Sequence, residues 1–192
     1  YEKYFQLESE EPLAVLMGDP SFELETARPE QPVQEENYGV DLFALQVDST
    51  LTRGMLFQSL PGTGEEVRKI NSTLSSTGWR TAIYTGADAT EEVIKGLEAP
   101  EVLHMATHGF FLEEPEQDYN LMEGLQLMGD QKSKPTADPM LRSGLLMSGS
   151  ENTFRGEKLA GKENGWLTAK EAASLNLRGT ELVVMSACET GQ

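Results

Sequence analysis

Short apolar runs alternate with amphipathic stretches along most of the chain. Leu13–Met17 is an apolar run followed by Gly-Asp-Pro, which predicts a buried strand that ends in a turn. Comparable runs lie at 79–84, 101–107 and 181–187, and their Val, Ile, Thr and aromatic residues favour extended structure. The pattern therefore predicts strands that are separated by long connections.

The connections carry start signals for helices. Thr63 and Glu66 have the spacing of a capping box, which predicts a helix capped by Thr63 with apolar positions 67, 70 and 74 on one face. Thr168 and Glu171 repeat that spacing ahead of the last apolar run. The apolar positions between 90 and 97 predict another helix. This alternation favours an α/β fold with a mostly parallel central sheet flanked by helices.

Two stretches lack such periodicity. Residues 21–48 and 112–165 are rich in polar residues, Gly and Pro, and we interpret both as exposed insertions in one domain that spans 1–192. Within the second stretch, Gly144–Met147 is apolar and predicts one strand of a hairpin. A length of 192 residues is that of a single domain with a real core.

Composition narrows the class of protein. The chain has 15 basic and 32 acidic residues, a net charge of −17, which disfavours nucleic acid and anionic membranes as partners. No stretch approaches the ~20 apolar residues of a membrane span. Cys188 is the single cysteine, so an internal disulfide and a cysteine-based zinc site are excluded. We therefore expect a reducing, cytoplasmic setting.

Candidate chemistry lies at the ends of two predicted strands. His108 follows the run 101–107, and Cys188 follows the run 181–187. Neighbouring parallel strands would bring an imidazole and a thiol to one sheet edge, where sites form in such folds. A His there supplies the base that an ordinary thiol, with a pKa of ~8.5, needs at neutral pH. The N–H groups of Gly109 and Cys188 are candidates for an oxyanion hole.

The same residues also have structural interpretations. A free Cys at a strand end is often a small core residue, and a His there is often held by hydrogen bonds. His104 lies four residues before His108 and inside the strand, so we interpret it as structural. A zinc site at these two histidines lacks further ligands. Asp19 follows the first strand, where it either faces the same edge or forms a turn.

Two of these segments resemble the signatures of a known family. Ala106-Thr-His-Gly109 and Ser186-Ala-Cys-Glu-Thr-Gly191, each after an apolar strand, are similar to the two motifs of CHAT domains, named for caspase and HetF associated with TPRs. The likeness covers roughly residues 12–192. It also includes Leu60–Val67, Ala89–Val93 and Trp166–Glu171.

The resemblance implies a caspase-like α/β sandwich and a cysteine endopeptidase that cleaves a protein or peptide substrate in bacterial signalling or defence. It implies His108 as the catalytic base and Cys188 as the nucleophile, with no cofactor and no metal. A catalytically dormant CHAT-like scaffold that binds protein partners stays open as an alternative. So does a different thiol enzyme, such as an acyltransferase or amidase.

The resemblance also implies partners. Family members often carry TPR repeats, and they continue beyond the position of Gln192. We therefore expect this chain to be the large-subunit portion, with the C-terminal part of the sheet missing from it. A C-terminal small-subunit segment or chain is expected to complete the sheet, because a sheet stopped here would expose an edge.

Two residues are candidates for substrate contact. Ser186 holds the position two before the nucleophile, where related enzymes that cleave after Arg or Lys carry an acidic residue, and it is neutral. Asp19 supplies a carboxylate, which attracts a cation most strongly where water is excluded. We therefore expect acidic residues to be rejected at the cleavage position, and Arg or Lys to be favoured over apolar residues.

Overall fold

The computed structural model describes residues 11–25, 57–111, 138–157 and 159–187. In chain order, the strands are β1 Leu13–Pro20, β2 Arg80–Gly86, β3 Val102–Ala106, β4 Gly109–Phe111, β5 Ser143–Leu146, β6 Trp166–Thr168 and β7 Leu182–Ser186. The helices are α1 Pro61–Ser76, α2 Glu91–Lys95, α3 Ser150–Phe154 and α4 Ala169–Ala172, with a 3-10 turn at Pro139–Leu141.

The main sheet has four strands in the order β2-β1-β3-β7, all of them parallel. Its register aligns Gly18 of β1 with Ala106 of β3, and Ala106 with Ser186 of β7. Three strands therefore reach the same edge of the sheet at the same level. The predicted strands and the predicted mostly parallel α/β fold are confirmed.

At β1 and β3 the main sheet is covered on both faces. Alternate residues of a strand point to opposite faces, so one face carries Ala14 and Leu16, which pack with Val67 of α1. The opposite face carries Val15, Met17, Leu103 and Met105, which pack with Ile94, Leu145, Met147 and Leu167. Full burial of each Leu or Met side chain contributes roughly 1.5–3 kcal/mol.

A second sheet packs against the first. It is antiparallel, in the order β4-β5-β6, and its middle strand carries Leu145 and Leu146 into the core. The predicted strand at Gly144–Met147 is confirmed. The interpretation of 112–165 as an exposed insertion is wrong for its described part, because Leu146 and Met147 are fully buried. Residues 112–137 lie outside the described residues.

The other interpreted insertion, 21–48, is described only as far as residue 25. Phe22 is 4% exposed and belongs to an apolar cluster, so exposure was the wrong expectation at that residue. The physical reason is that a single aromatic residue in a polar stretch has no periodicity to reveal it. Its burial is decided by neighbours that are distant in sequence.

The two predicted capping boxes have different outcomes. Thr168 caps α4, where its Oγ1 accepts from the Glu171 N–H and Glu171 accepts from the Thr168 N–H, as predicted. The prediction that Thr63 caps a helix is wrong, because α1 already begins at Pro61. Proline is preorganised for the first helical position, so the helix starts before Thr63. Leu60 is the N-cap and makes no side-chain cap bond.

Candidate active site

The register of the main sheet relates the two candidate catalytic residues. Each pair of the β3–β7 register joins residues 80 positions apart, such as Ala106 with Ser186. His108 and Cys188 have that same separation, and each follows its strand by two residues. Cys188 itself lies outside the described residues, so its pairing with His108 stays a prediction.

Hydrogen bonds on both sides hold the backbone next to His108. The Thr107 N–H donates to the Ser186 carbonyl at 3.2 Å, which continues the β3–β7 pairing by one residue. The Thr107 hydroxyl donates to the Leu146 carbonyl at 2.5 Å. In return the Leu146 N–H donates to the His108 carbonyl at 2.9 Å. The main chain at His108 is therefore tied to β7 on one side and to the second sheet on the other.

The ring of His108 has a defined hydrogen-bond partner. Its Nε2 lies 2.8 Å from the carbonyl oxygen of Gln58. A carbonyl oxygen only accepts, so Nε2 must be the protonated nitrogen in this contact. In the neutral imidazole, Nδ1 then carries the lone pair and is the atom that can act as a base. Gln58 was not anticipated from the sequence, because a backbone carbonyl is the same in every residue.

An aromatic cluster supports the same ring. The centroid of the His108 ring lies 5.4 Å from that of Phe22, with an angle of 30° between the planes. Phe22 contacts Phe57 at 6.1 Å, and Phe57 contacts Trp166 at 6.3 Å. Trp166 in turn packs edge-on against Phe110 at 4.8 Å. Rings at these separations attract one another beyond simple burial, so the cluster restricts the position of the imidazole.

The backbone N–H of Gly109, in β4, points away from the neighbouring strand β5. Gly109 is paired with Leu145, and the Leu146 N–H to His108 carbonyl bond makes this pair a non-hydrogen-bonded one. In such a pair the N–H and C=O groups face outward from the ladder. This direction is compatible with the predicted oxyanion hole, whose other predicted donor, the N–H of Cys188, is outside the described residues.

Asp19 lies at the same edge as the end of β3. Its φ of 48° is left-handed, a conformation that Asp tolerates better than most residues. Its N–H donates to the Thr63 hydroxyl at 2.7 Å, so Thr63 holds the end of β1 rather than capping α1. A Cβ on Gly18 would lie 2.8 Å from the Thr63 carbonyl oxygen, so glycine permits this close approach of helix and strand.

A family model supplies the identification. It matches residues 5–192, and it describes the CHAT domain. The chain belongs to the CHAT domain family. The suspected resemblance is thereby confirmed over nearly the whole chain. Searches among curated proteins and among solved structures gave no significant match.

The second histidine of this CHAT domain has a different setting. His104 lies inside β3 and is 5% exposed. Its Nε2 is 3.0 Å from Oε1 of Glu66, a residue of α1 whose other oxygen, Oε2, lies 3.5 Å from the hydroxyl of Ser186. In the sequence, Glu66 appears only as the last residue of the predicted capping box, and no local pattern links it to His104. Its polar character alone carried no signal of this contact.

The described part of this CHAT domain shows neither a metal-binding group nor a membrane-spanning helix. Among the described residues, no group of three or more His, Cys, Asp and Glu side chains is arranged to hold a metal ion. Within the same part of the chain, no helix has the length and apolar character needed to cross a bilayer.

Proposed function

We propose that this CHAT domain is a cysteine endopeptidase in which His108 is the general base and Cys188 the nucleophile. The observation that carries the proposal is the hydrogen bond between Nε2 of His108 and the Gln58 carbonyl, at the end of a strand whose partner strand leads to Cys188. Family membership supports a caspase-like protease at the coarser level. The assignment of an active dyad is our own.

The proposed reaction begins with transfer of the Cys188 thiol proton to Nδ1 of His108. The thiolate then attacks the carbonyl carbon of the scissile peptide bond, and the oxygen of the tetrahedral intermediate accepts from the N–H groups of Gly109 and Cys188. His108 returns the proton to the leaving amine as the C–N bond breaks. Water, deprotonated by His108, next attacks the thioester, which releases the acid and restores the thiol.

The contact with Gln58 gives His108 the tautomer that this reaction needs. If Nε2 keeps its proton through the cycle, Nδ1 alone exchanges protons with the thiol and the leaving amine. The imidazolium that forms after the first transfer still donates to the Gln58 carbonyl, whose partial negative charge stabilises it. Phe22 packs against the ring, and this contact favours the orientation in which Nε2 faces the Gln58 carbonyl.

The test is the pH dependence of alkylation of Cys188 by iodoacetamide. Because the chain has one cysteine, the rate reports this thiol alone. We expect a midpoint well below the ~8.5 of an ordinary thiol, and its return to that value in His108→Ala. A peptidyl chloromethyl ketone should label the wild type, whereas Cys188→Ala serves as the unlabelled control.

A dormant scaffold gives another result in the same experiment. The thiol would then titrate as an ordinary one, and His108→Ala would leave the alkylation profile unchanged. Retained binding of a protein partner under those conditions would support the scaffold and reject the enzyme. A thiol acyltransferase or amidase would show the low midpoint but no cleavage of peptide bonds inside a protein.

The same site is proposed to reject acidic residues at the cleavage position and to favour Arg or Lys. Asp19 at the end of β1 and Ser186 at the end of β7 are the residues offered for this contact. A positional-scanning peptide library tests the order of preference. Preferred cleavage after Asp would overturn the proposal, and an unchanged preference in Asp19→Asn would remove the role of that carboxylate.

We further propose that a C-terminal small-subunit segment or chain pairs with the free side of β7. Within the described residues β7 is an edge of the main sheet, and Leu182 and Met185 are 52% and 66% exposed. An exposed apolar edge strand is a template for another strand. We also propose TPR repeats as partners, as the family resemblance implies. We propose the reducing cytoplasm as the location, because the chain has one cysteine.

A further inference from the structure

Glu66 joins three elements beneath the candidate site. It lies on α1, and its Oε1 is 3.0 Å from Nε2 of His104 on β3. Its Oε2 accepts a hydrogen bond from the Ser186 hydroxyl at the end of β7, at 3.5 Å. A single carboxylate thus contacts the strand that leads to His108 and the strand that leads to Cys188.

The His104 contact is not an ordinary surface ion pair. The His104 side chain is 6% exposed, and Glu66 is 37% exposed. Although the separation is that of an ion pair, the ring N–H is not aligned for a hydrogen bond, and Nε2 has no other partner within hydrogen-bond geometry in the described part of the chain. Among the described residues, the Glu66 carboxylate is therefore the polar group that stands against this buried nitrogen, which restricts where Glu66 can lie.

Ala187, directly after β7, packs against the main core cluster, but the strand itself has few apolar contacts. Three of its residues, Leu182, Val183 and Met185, are between 41% and 66% exposed, so apolar packing holds this strand weakly. Pairing with β3 restrains one side, through bonds such as that from the Thr107 N–H to the Ser186 carbonyl. The Glu66 contact adds a polar restraint on Ser186 from the helix layer above the sheet.

We propose that Glu66 is a positioning residue for the nucleophile, and this inference rests on the proposed cysteine endopeptidase. Glu66 is anchored by buried His104 and holds the Ser186 side chain, two residues before Cys188. It thereby limits how far the end of β7 can move relative to the end of β3. The distance between the Cys188 thiol and Nδ1 of His108 depends on those two ends.

Glu66→Ala is the variant that tests this role. We expect it to lower the rate of Cys188 modification by a peptidyl chloromethyl ketone about 10-fold to 100-fold, the effect of a misplacement of roughly 1 Å. The iodoacetamide profile should also shift upward, toward the midpoint of His108→Ala, because a displaced thiol loses its base. A residue that only stabilised the fold would leave the midpoint of the folded protein unchanged.

Two further variants define the route of the effect. Ser186→Ala should reproduce the shift, and adding Glu66→Ala to it should change the rate less than about 2-fold, because residues that act as a unit are not additive. Glu66→Gln keeps an acceptor for Ser186 and should lie between Glu66→Ala and the wild type. The control is Glu65→Ala. Glu65 is 69% exposed, and its carboxylate lies as far as 4.0 Å from Nζ of Lys69.

The outcomes separate this inference from the proposed function. A wild type with a low, His108-dependent midpoint that Glu66→Ala leaves unchanged overturns the role of Glu66 alone. A wild type with an ordinary thiol rejects the dyad and the inference together. If Glu66→Ala does not fold, an unchanged midpoint in Ser186→Ala overturns the inference. Independent, multiplying effects of the two substitutions also overturn it.

Discussion

Polar side chains have opposite roles in two regions of the molecule. One region is the edge of the main sheet at His108, and the other is the ionic cluster formed by Glu91, Lys95 and Glu171. At the edge, the ring of His108 forms a hydrogen bond with the Gln58 carbonyl and remains partly exposed. In the cluster, Glu91 is 1% exposed, and it contacts Lys95 at 2.6 Å and the Gly165 N–H at 3.0 Å. The cluster stabilises the fold, whereas the edge leaves the ring of His108 partly exposed, as the proposed catalytic role requires.

Charge distribution in the ionic cluster explains its pKa values. Burial raises the pKa of Glu91 to about 7, against the opposing effect of Lys95. Burial disfavours the charged form of Lys95, but the hydrogen bonds that its ammonium donates to Glu91 and Glu171 outweigh burial and raise its pKa. For Glu171, hydrogen bonds with Thr168 and Lys95 overcome burial and lower the pKa. Lys95 is therefore the cation on which the cluster depends.

The largest effect is expected at the sheet edge. His108→Ala and Cys188→Ala should each lower peptide-bond cleavage by ~10³-fold or more, because each removes one member of the proposed dyad. The unfolding temperature should hardly change. His104→Ala is the matched comparison on the same strand, and its cleavage should remain measurable if it folds. Wild-type turnover in His108→Ala, together with loss in His104→Ala, would reverse the assignment of the base.

Substitution of Lys95 should lower stability and leave the reactivity of Cys188 unchanged, the reverse of the effects expected for His108→Ala. Lys95→Ala leaves Glu91 and Glu171 without their shared cation, and we expect a loss of about 3 kcal/mol in the free energy of unfolding, near the lower end for a broken buried pair. The loss is not larger, because Glu91 can take up a proton. Urea unfolding measures it. Lys69→Ala is the control, since Lys69 is 81% exposed.

In folded Lys95→Ala, the alkylation midpoint of Cys188 should equal that of the wild type. A shifted midpoint would show that the cluster and the sheet edge are coupled. The contrast between the two regions would then fail.

Glu91 predicts a pH dependence of stability that the sheet edge does not share. Its pKa is about 7 in the folded protein, against an ordinary value of 4.5 for the unfolded chain, so the folded state holds a proton that the unfolded state has lost between these values. Stability from this group is complete below pH 4.5 and is lost as the pH rises through 7, by roughly 3 kcal/mol in total. Thermal unfolding of the wild type and Glu91→Gln between pH 5 and 8 measures the difference.

Other carboxylates act in the opposite sense, which is why the comparison with Glu91→Gln is needed. Glu171 has a lowered pKa, so its stabilisation is present above the pKa of the unfolded chain and is lost as the pH falls. Equal pH slopes for the wild type and Glu91→Gln would contradict the prediction.

The smallest effects are expected at the two Thr-x-x-Glu sequences, Thr63–Glu66 and Thr168–Glu171, whose threonines have different partners. Thr168→Ala removes both the cap of α4 and a partner of Glu171, and we expect a loss of about 1 kcal/mol with unchanged alkylation of Cys188. Thr63→Ala removes the acceptor of the Asp19 N–H at the sheet edge instead. It should alter peptide preference more than stability, as a positional-scanning library would show. Equal effects of the two variants on both measurements would remove the distinction.

The sequence by itself determined the main sheet and the family. Leu13–Met17 and the later apolar runs are continuous enough to be strands, because strands buried on both faces need no polar alternation. The equal separation of His108 and Cys188 from their strands is likewise readable without coordinates. Thr168 and Glu171 formed the predicted cap because both bonds are local, within one turn.

Only the tertiary structure decided the partners of the site. The Gln58 carbonyl lies 50 residues from His108 in sequence, and every residue offers the same carbonyl. Glu66 and Ser186 are 120 residues apart, so no local pattern relates them. The burial of Phe22 and of the second sheet was not predicted for the same reason, although one strand of that sheet was. Local sequence specifies which elements form, but contacts between distant elements depend on how their apolar faces pack, and that packing brings the polar groups together.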